Sequence, residues 1–585
     1  MHRVPNIVFC QKIGRYVGLI KIILSLSILN HFFLLSSWAQ AQTENTLPSV
    51  YIEGYVPNPK SPENGVIKVY LLIQNGVIVK KSTAPFNVDE TTRKITEKAA
   101  GPLLLSAGFI DLHGHLKYNV IPLWTEAQGQ FNNRFEWRAK SSYKKNVTSY
   151  LNNDALGSST DKNSLLCQTY QYAEIKALIG GVTSVQGIGQ DTGCTAGLLA
   201  RNVEIESDYN EATDIRVSTE MVNPNITRFF QEAIFPQVIN ENKSVNDVYA
   251  EKVAASSVSG TTSLLSSSQK FFMDQKHSYE KYFQRIFPLG DIRGFIAHLA
   301  EGKANDSYNK LEYKLARSIG LAQKGLVIIH GVGLDHEDLK HASQNEMSIV
   351  WSPLSNLLLY GETLNVAQAI EHGINLTLGA DWSPSGSKNL LDEVKIAKRY
   401  LVHQGTNLIT DRMLYNMMTI NPAKALKLEN KIGQIEENFL GDIVAFKLKS
   451  KRSNPFTQII DADPADIQFV MVGGKIQIAK IQIAKTETQI DQVINPEIMK
   501  ESPDCYKYKD TFITNTPIKL SDLIIQLKNI FPILDEPTSC NDIQYKKTVK
   551  NIFKLSEQNL EIEKASDEKS YDVLSEQLKT ILNQR

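Results

Sequence analysis

Two histidines, His113 and His115, stand at the end of an apolar segment, GFIDLHGH, over residues 108–115. Side chains two positions apart on a β-strand point to the same face of the sheet, so both imidazoles can reach one point. Imidazole nitrogens are frequent ligands of zinc and of other first-row metals. An isolated H-x-H pair is weak evidence, and it becomes informative only when further ligands converge on the same place.

Three more polar residues lie at or near the ends of other apolar segments. The chain contains only eleven histidines, and two of them are His298, in GFIAHLAE, and His330, in LVIIHGV; Asp381 ends the segment LTLGAD. A buried imidazole or carboxylate needs a hydrogen-bond partner, an ion pair or a metal. Any one of these residues could be a satisfied core residue. Together with His113 and His115 they suit a zinc or iron site with an open position for water.

The fold that would gather these residues is a closed barrel. Short apolar strands alternate with amphipathic helical stretches, which indicates a parallel sheet covered on both faces, and seven or eight such units predict an α/β fold of the (β/α)8 TIM-like type. The carboxyl ends of all strands then meet at one rim, where the active site of such a barrel lies. We expect a further strand, the fourth, within residues 223–290, where the sequence suggests mostly helix and polar loop. The predicted strands are 108–115, 180–187, 215–222, 294–301, 326–332, 347–353 and 376–383.

Strand patterns on both flanks of the barrel predict a small β-sandwich. Asn75-Gly76 and Gly473-Gly474 each separate two apolar runs, as expected for hairpin turns. The duplicated IQIAKIQIAK over 476–485 is interpreted as an elongated strand end. The predicted organisation is a signal peptide over 1–41, sandwich segments over 48–105 and 426–486, a barrel over 106–425 and a polar, helical C-terminal extension over 487–585, with a helix at 545–564.

The N-terminus predicts export. Four basic residues precede an apolar run that ends at Ala39-Gln40-Ala41, which is typical of a secretory signal cleaved after Ala41; an uncleaved membrane anchor is the alternative. Export would make the protein periplasmic or extracellular, without stable membrane insertion after cleavage. Four cysteines remain in the mature chain, and three pairings are possible. Because closing a short loop costs less entropy, we favour disulfides between Cys167 and Cys194 and between Cys505 and Cys540.

Composition excludes several classes of protein. Of the 585 residues, 42% are hydrophobic and 22% charged, which is typical of a globular protein and excludes a disordered, collagen-like or coiled-coil chain. The 63 basic residues balance the 63 acidic residues, so no net charge favours nucleic acid as a partner. A small-molecule substrate or ligand is expected. The sequence does not indicate an oligomeric state.

Four segments resemble the signature motifs of the amidohydrolase superfamily: GFIDLHGH, HLAE at 298–301, IIHGVG and LGADWSPSGS. Within it they resemble the deaminase, chlorohydrolase and imidazolonepropionase branch, to whose Pro-x-Ser-Asn segment WSPLSNLLLYG at 351–361 is similar. Residues 421–446 resemble the family's exit from the barrel. The resemblance covers roughly residues 48–480, and Ala107 stands where the family often has proline.

The resemblance implies a role for each polar residue. The metal ligands that the resemblance implies are His113, His115, His298 and Asp381. They would hold one divalent ion, which is zinc or alternatively iron. The two proton-handling residues implied are His330, which orients or deprotonates the water, and Glu301, which protonates the leaving nitrogen; Glu301 could instead be a carboxylate at a helix N-terminus. The binuclear branches use a carboxylated lysine on the fourth strand, and no convincing lysine is found, which favours one ion.

These roles predict an exported metal-dependent hydrolase that uses metal-activated water to cleave a carbon–nitrogen bond of a non-peptide amide, cyclic amide or amidine. One alternative is a non-catalytic, exported solute-binding protein on the same barrel, and another is a binuclear, peptidase-like member. No substrate-binding residue is assigned. Ser355 and Asn356 could touch the substrate or support a loop, and Trp124, Trp137 and Trp382 could line a pocket or simply pack.

Overall fold

The computed structural model of the chain describes residues 47–553, except 128, 189–190, 196–198, 206–215, 220–236, 319, 406–407, 486, 488 and, between 238 and 291, all but 241, 243, 247–248 and 251. The expected signal peptide therefore lies outside the described residues. Among the helices described, none has both the length and the apolar character needed to cross a membrane.

The described residues between 109 and 378 contain eight strands, all in parallel pairings. They are β6 (Phe109–Asp111), β7 (Val182–Val185), β8 (Arg201–Asn202), β9 (Arg216–Thr219), β10 (Ile292–Leu299), β11 (Leu326–His330), β12 (Ser348–Trp351) and β13 (Asn375–Leu378). Strands β6 to β8 form one sheet in chain order, and β9 to β13 form a second. A parallel bridge between Gly114 and Asp381 joins the two sheets just beyond β6 and β13. The segment between β8 and β9 includes residues 206–215, which are not described.

The expected fourth strand falls within residues 223–290, which lie almost entirely outside the described residues. β9 pairs directly with β10, with Arg216 opposite Ile292, so no other strand lies between them. The strand missing from the expected set is instead β8, which is two residues long and pairs with β7. β9 is thus fourth in order. Two residues are too short a run for a strand pattern to be recognised.

The two flanks of the chain meet in one ten-stranded sheet. Its ten members are β1 (Val50–Pro57), β2 (Val66–Gln74), β3 (Val77–Ser82), β4 (Arg93–Ile95), β5 (Leu103–Ala107), β14 (Ile443–Lys447), β15 (Ile467–Val472), β16 (Lys475–Lys480), β17 (Ile490–Gln492) and β18 (Thr511–Thr514). β5 pairs with both β1 and β14 and so connects the N-terminal half to the C-terminal half. The two-residue turns Asn75-Gly76 and Gly473-Gly474 join β2 to β3 and β15 to β16, each with positive φ at both positions, as hairpin geometry requires.

Helices cover the parallel strands and continue into the C-terminal segment. In chain order they are α1 (Glu97–Ala100), α2 (Arg134–Ala139), α3 (Ser141–Tyr143), α4 (Ser149–Leu151), α5 (Leu165–Ile179), α6 (Thr192–Thr195), α7 (Ser307–Ser318), α8 (His336–Gln344), α9 (Pro353–Tyr360), α10 (Val366–Glu371), α11 (Leu390–His403), α12 (Asp411–Met418), α13 (Ile420–Ala425), α14 (Pro455–Ile460), α15 (Ile481–Ala484), α16 (Pro496–Glu501) and α17 (Leu520–Leu527). Residues 543–553 are also helical. Among these helices α5 is buried on nearly all sides, because the C-terminal segment packs on the face that would otherwise meet solvent.

The C-terminal extension departs from the helical expectation. β17 and β18 add its first part to the edge of the ten-stranded sheet beside β16. Correspondingly, the second IQIAK copy does not prolong β16 but forms the short helix α15. The structure pairs Cys167 with Cys194 and Cys505 with Cys540, the second pair lying within this extension.

Candidate functional site

Four side chains from strand ends point their donor atoms at one centre. His113 and His115 follow β6, His298 lies near the end of β10 and Asp381 follows β13. His298 Nε2 lies 3.1 Å from His113 Nε2 and 3.3 Å from His115 Nε2. Asp381 Oδ1 lies 3.2 Å from His113 Nε2 and 3.4 Å from His115 Nε2. We call these four residues the donor cluster.

The spacing within the donor cluster fits a metal ion. Zinc binds nitrogen and carboxylate oxygen at about 2.0–2.1 Å, so neighbouring donors of a tetrahedral site lie about 3.3 Å apart. The four measured separations, 3.1 to 3.4 Å, bracket that value. Three imidazole nitrogens and one carboxylate oxygen all present lone pairs to the same point, and a cation satisfies them together. The donor set therefore fits a divalent metal.

The local backbone explains how the strand ends aim these side chains inward. Asp381 donates its backbone N–H to the carbonyl of His113 at 2.8 Å, which ties the two ligand-bearing segments together. Gly379 lies so close that a Cβ there would come within 2.4 Å of His113 Cβ. Ala300, His330 and Asp381 have φ of 53°, 71° and 61°. Such a left-handed backbone is strained for residues other than glycine and is concentrated at functional sites.

Burial keeps the histidines of the donor cluster neutral. It lowers the pKa of His113 and His298 well below the usual range and lowers the pKa of His115 to about 4. A neutral imidazole is the form that binds a metal. Burial also raises the pKa of Asp381 well above its usual range, and a bound cation acts in the opposite direction by stabilising the carboxylate. The Nδ1 atom of His113 is 2.7 Å from Ser352 Oγ, which directs Nε2 towards the centre.

His330 lies beside the donor cluster, and its hydrogen bond to Asn356 determines which ring nitrogen carries the proton. Its Nδ1 is 2.8 Å from Asn356 Oδ1, and because a carbonyl oxygen can only accept, Nδ1 carries the proton. The other nitrogen, Nε2, is left to accept a proton and faces Glu301 Oε2 at 3.7 Å. Burial lowers the pKa of His330 and so favours the neutral ring. Asn356 thus orients a histidine, and it does not line the cavity described below.

Glu301 is buried but remains a carboxylate. Tyr360 donates its hydroxyl to Glu301 Oε1 at 2.6 Å, and Arg134 Nη1 lies 3.5 Å from Oε2. Burial alone would raise the pKa of Glu301, but the guanidinium charges of Arg134 and Arg138 and the Tyr360 hydrogen bond, together with His330 whenever that ring is protonated, outweigh burial and lower the pKa. Arg134 is in turn held by Glu312 at 2.6 Å. The Glu301 carboxylate can therefore receive a proton at neutral pH.

A cavity of about 290 Å³ opens directly onto this arrangement. Three of the donor residues, His115, His298 and Asp381, line it together with His330 and Glu301. Its other lining residues are four aromatic side chains, Tyr118, Trp137, Tyr143 and Trp382, and one cation, Arg138. The ring centroids of Trp137 and Trp382 lie 5.5 Å apart, and the centroid of the Tyr118 phenol ring lies 5.2 Å from that of Trp382. The cavity therefore suits a planar, uncharged ring.

The structure brings together all six polar residues that the sequence singled out: His113, His115, His298, His330, Glu301 and Asp381. Of the three tryptophans considered, Trp137 and Trp382 line the cavity, whereas Trp124 stacks on Phe131 away from it. Ser355 is buried in α9 and does not line it either.

Sequence reasoning missed the residues that support the polar set, namely Arg134, Arg138, Tyr118, Tyr143 and Tyr360. The segment between His115 and Tyr143 does carry an unusual density of aromatic and basic residues, and that was the available signal.

Comparison with known proteins supports the same family. Residues 276–477 match the model of the amidohydrolase family. A 5-methylthioadenosine/S-adenosylhomocysteine deaminase of Pyrococcus abyssi is 29% identical over 192 residues, which are 31% of this chain and 45% of that protein. A 5'-deoxyadenosine deaminase of Methanopyrus kandleri is 27% identical over 243 residues, 39% of this chain and 54% of that protein. The chain thus spans about half the length of these curated relatives.

The fold also matches solved structures. The atrazine chlorohydrolase TrzN of Arthrobacter aurescens, complexed with zinc, superposes with a TM-score of 0.52 at 13% identity, over 82% of this chain and 99% of that one. At this identity the likeness concerns the fold alone. The family model over residues 276–477 and the deaminase relatives agree with the signature segments and support the amidohydrolase superfamily for this chain.

Proposed function

We propose that this chain is a zinc-dependent hydrolase that removes an amino group from a planar heterocycle. The observation that carries the proposal is the cavity itself, in which three residues of the donor cluster, a carboxylate and a neutral histidine face four aromatic side chains. The two curated relatives described above support deamination over amide cleavage, because both are named as deaminases of adenosine derivatives. The reaction consumes one water and converts an amino-substituted ring carbon into a carbonyl, with release of ammonia.

One zinc ion fits the donor cluster better than iron or a second ion. Zinc accepts a tetrahedral set of nitrogen and oxygen ligands without a redox requirement. Strand β9, Arg216–Thr219, contains no lysine that could become the bridging ligand of a binuclear site. When bound, the ion supplies the positive charge that acidifies a water molecule and polarises the carbon under attack.

The protein's own residues move the protons. His330 Nε2, unprotonated because Nδ1 is engaged by Asn356, accepts the proton of the attacking water or holds that water in line. Glu301 receives a proton and delivers it to the leaving nitrogen, since its carboxylate lines the same cavity and is held in place by Tyr360 and Arg134. A non-catalytic solute-binding protein would have no use for this pair of proton carriers.

The test is a substrate panel with two readouts. Aminated purines, pyrimidines and triazines are incubated with the zinc-loaded protein, alongside lactams and linear amides, and ammonia and new carboxylate are both measured. We expect ammonia from at least one aminated ring, with a carbonyl in its place. A new carboxylate from a lactam or amide, without turnover of any aminated ring, would contradict deamination while leaving metal-dependent hydrolysis intact.

Arg138 sets a further requirement on the substrate. It lines the cavity, its guanidinium lies 5.2 Å from the Trp137 ring, and it forms no ion pair with any residue in the described part of the chain. A cation at the edge of an aromatic cavity pairs best with an anionic group on the ligand. We therefore propose a heterocycle that bears a carboxylate or another negatively charged substituent.

Replacing Arg138 with glutamine is expected to raise KM for such an anionic substrate about 10- to 100-fold, because a charge-assisted hydrogen bond contributes about 1.5–3 kcal/mol. KM for a neutral analogue should change less than about threefold. Lys140→Gln, which removes an exposed cation two residues away, serves as the control. An equal increase in KM for both substrates would show that Arg138 supports the shape of the cavity and does not bind the negative charge of the substrate.

Two features outside the described site complete the proposal. We propose that the eight parallel strands close into a (β/α)8 barrel, which the Gly114–Asp381 bridge between the first and last strands supports. We also propose export through the predicted signal, because two disulfides are expected of a protein in an oxidising compartment. Sequencing the N-terminus of protein recovered outside the cytoplasm tests export, and a mature chain that begins near Gln42 is expected.

A further inference from the structure

The C-terminal extension inserts a carboxylate between two buried lysines. Asp535 pairs with Lys176 through Oδ2 and with Lys388 through Oδ1. Lys388 also pairs with Asp542 at 2.5 Å. The side chains of Lys176, Lys388 and Asp535 are each only 2% exposed. We call these four residues the buried charge cluster, in which two cations and two carboxylates balance.

The backbone of Asp535 is engaged as well. Its N–H donates to the carbonyl of Val120 at 2.9 Å, and its carbonyl accepts from the Tyr172 hydroxyl at 2.6 Å. Lys176 donates a second hydrogen bond, at 2.8 Å, to the carbonyl of Asn119. The extension is thus attached to the loop that follows His115, both directly through Val120 and indirectly through Lys176.

The same loop is joined to the segment that follows Asp381. Asn119 Oδ1 accepts the backbone N–H of Ser383 at 2.9 Å, and Ser383 donates its hydroxyl to the carbonyl of Ile121 at 2.8 Å. Lys388 stands at the far end of that segment, immediately before helix α11. Asp535 therefore closes a ring of contacts that runs through Lys176, Asn119, Ser383 and back to Lys388.

We propose that Asp535 is a positioning residue. Through Asp535 the C-terminal extension holds two loops together, and each of these loops follows a metal-ligand residue and contributes one side chain to the cavity wall. One loop follows His115 and contains Tyr118, and the other follows Asp381 and begins with Trp382. None of the four polar side chains in the buried charge cluster lines the cavity, so Asp535 acts through these loops and not on the substrate. The inference does not depend on which substrate is used.

The experiment compares Asp535→Asn with Asp504→Asn. Asparagine keeps the shape of Asp535 but cannot neutralise two lysines, which leaves buried charge unpaired. Asp504 lies on the same extension and makes a 2.5 Å ion pair with Lys546, but both members of that pair are exposed, which makes Asp504 a matched control. Two measurements are made on the full chain: hydrogen exchange of peptides over 116–124 and 382–389, and the visible spectrum and affinity of Co²⁺ added to the metal-free protein.

We expect Asp535→Asn to speed exchange in both loops at least tenfold and to weaken Co²⁺ binding about 10-fold with an altered spectrum, because groups that orient metal ligands act with that magnitude. Asp504→Asn should change neither. Unaltered exchange in the two loops would overturn the proposal, as would a lower melting temperature with the same Co²⁺ spectrum and affinity, because Asp535 would then only stabilise the fold.

Should Asp535→Asn fail to fold, Lys388→Met provides the same readouts. It leaves Asp535 paired with Lys176, so the loop after His115 keeps its attachment. Faster exchange is then expected over 382–389 and not over 116–124. An equal increase in exchange rate in both loops, or no increase in either loop, would contradict the assigned contacts.

Discussion

Replacing Glu301 with glutamine is expected to lower kcat by about 10²- to 10⁴-fold, the range in which a positioned general acid or base contributes. The amide keeps the size of the carboxylate and can still accept from Tyr360, but it cannot take up a proton and release it to the leaving nitrogen. Because Glu301 is not part of the donor cluster, the metal content should be unchanged. KM should change little, since the aromatic side chains of the cavity remain.

The measurement is steady-state kinetics on the best substrate from the panel, with metal content determined on the same samples. Tyr360→Phe is the informative companion variant, because it removes the 2.6 Å hydrogen bond to Glu301 and leaves the carboxylate in place. A loss of about tenfold in kcat is expected from it, well short of the loss from Glu301→Gln. If Glu301→Gln retains more than a tenth of the wild-type kcat, the proton carrier is another group.

The substrate's leaving group gives a second way to check the assignment. A ring with a leaving group that needs no protonation, such as chloride, should be hydrolysed by Glu301→Gln with a much smaller loss than the corresponding amino compound. General-acid assistance matters only when the departing atom must gain a proton. Equal losses for the two compounds would show that Glu301 acts on the attacking water instead.

The convergence of the polar site residues could be predicted from strand geometry, and the family resemblance implied which four of them are metal donors. His113, His298 and Asp381 lie at or near the ends of apolar runs, and apolar runs of this kind form buried parallel strands whose carboxyl ends meet at one rim. Burial keeps the imidazoles neutral, which is the form that binds a metal. Neither step depends on knowing the loops.

The parts that escaped prediction depend on contacts distant in sequence. The two IQIAK copies are identical, yet the first lies in β16 and the second forms α15, because β18 pairs with the first and the chain must turn after it. Local sequence cannot distinguish these outcomes. Asp535 is equally unremarkable in sequence, and its importance comes from two lysines located 147 and 359 residues away.

Removing a metal ligand should abolish both binding and catalysis. His113→Ala is expected to reduce the bound metal from about one ion per chain to a small fraction, because loss of one ligand from a four-ligand site weakens it by far more than the roughly 10–100-fold effect of a supporting residue. Activity should fall in step with metal content. Two ions in the wild-type protein would instead favour a binuclear site.

A melting experiment separates loss of the metal from damage to the fold. A ligand present at 100 times its Kd stabilises the folded state by about 2.7 kcal/mol, so a chelator should lower the melting temperature of the zinc-loaded wild-type protein by several degrees. His113→Ala should melt near the chelated wild type and should not respond to chelator. His372→Ala, which removes a histidine that faces His336 at the surface, should behave like the wild type. If chelator still lowers the melting temperature of His113→Ala, the metal binds somewhere other than the donor cluster. The chemistry proposed for this cavity would then be wrong.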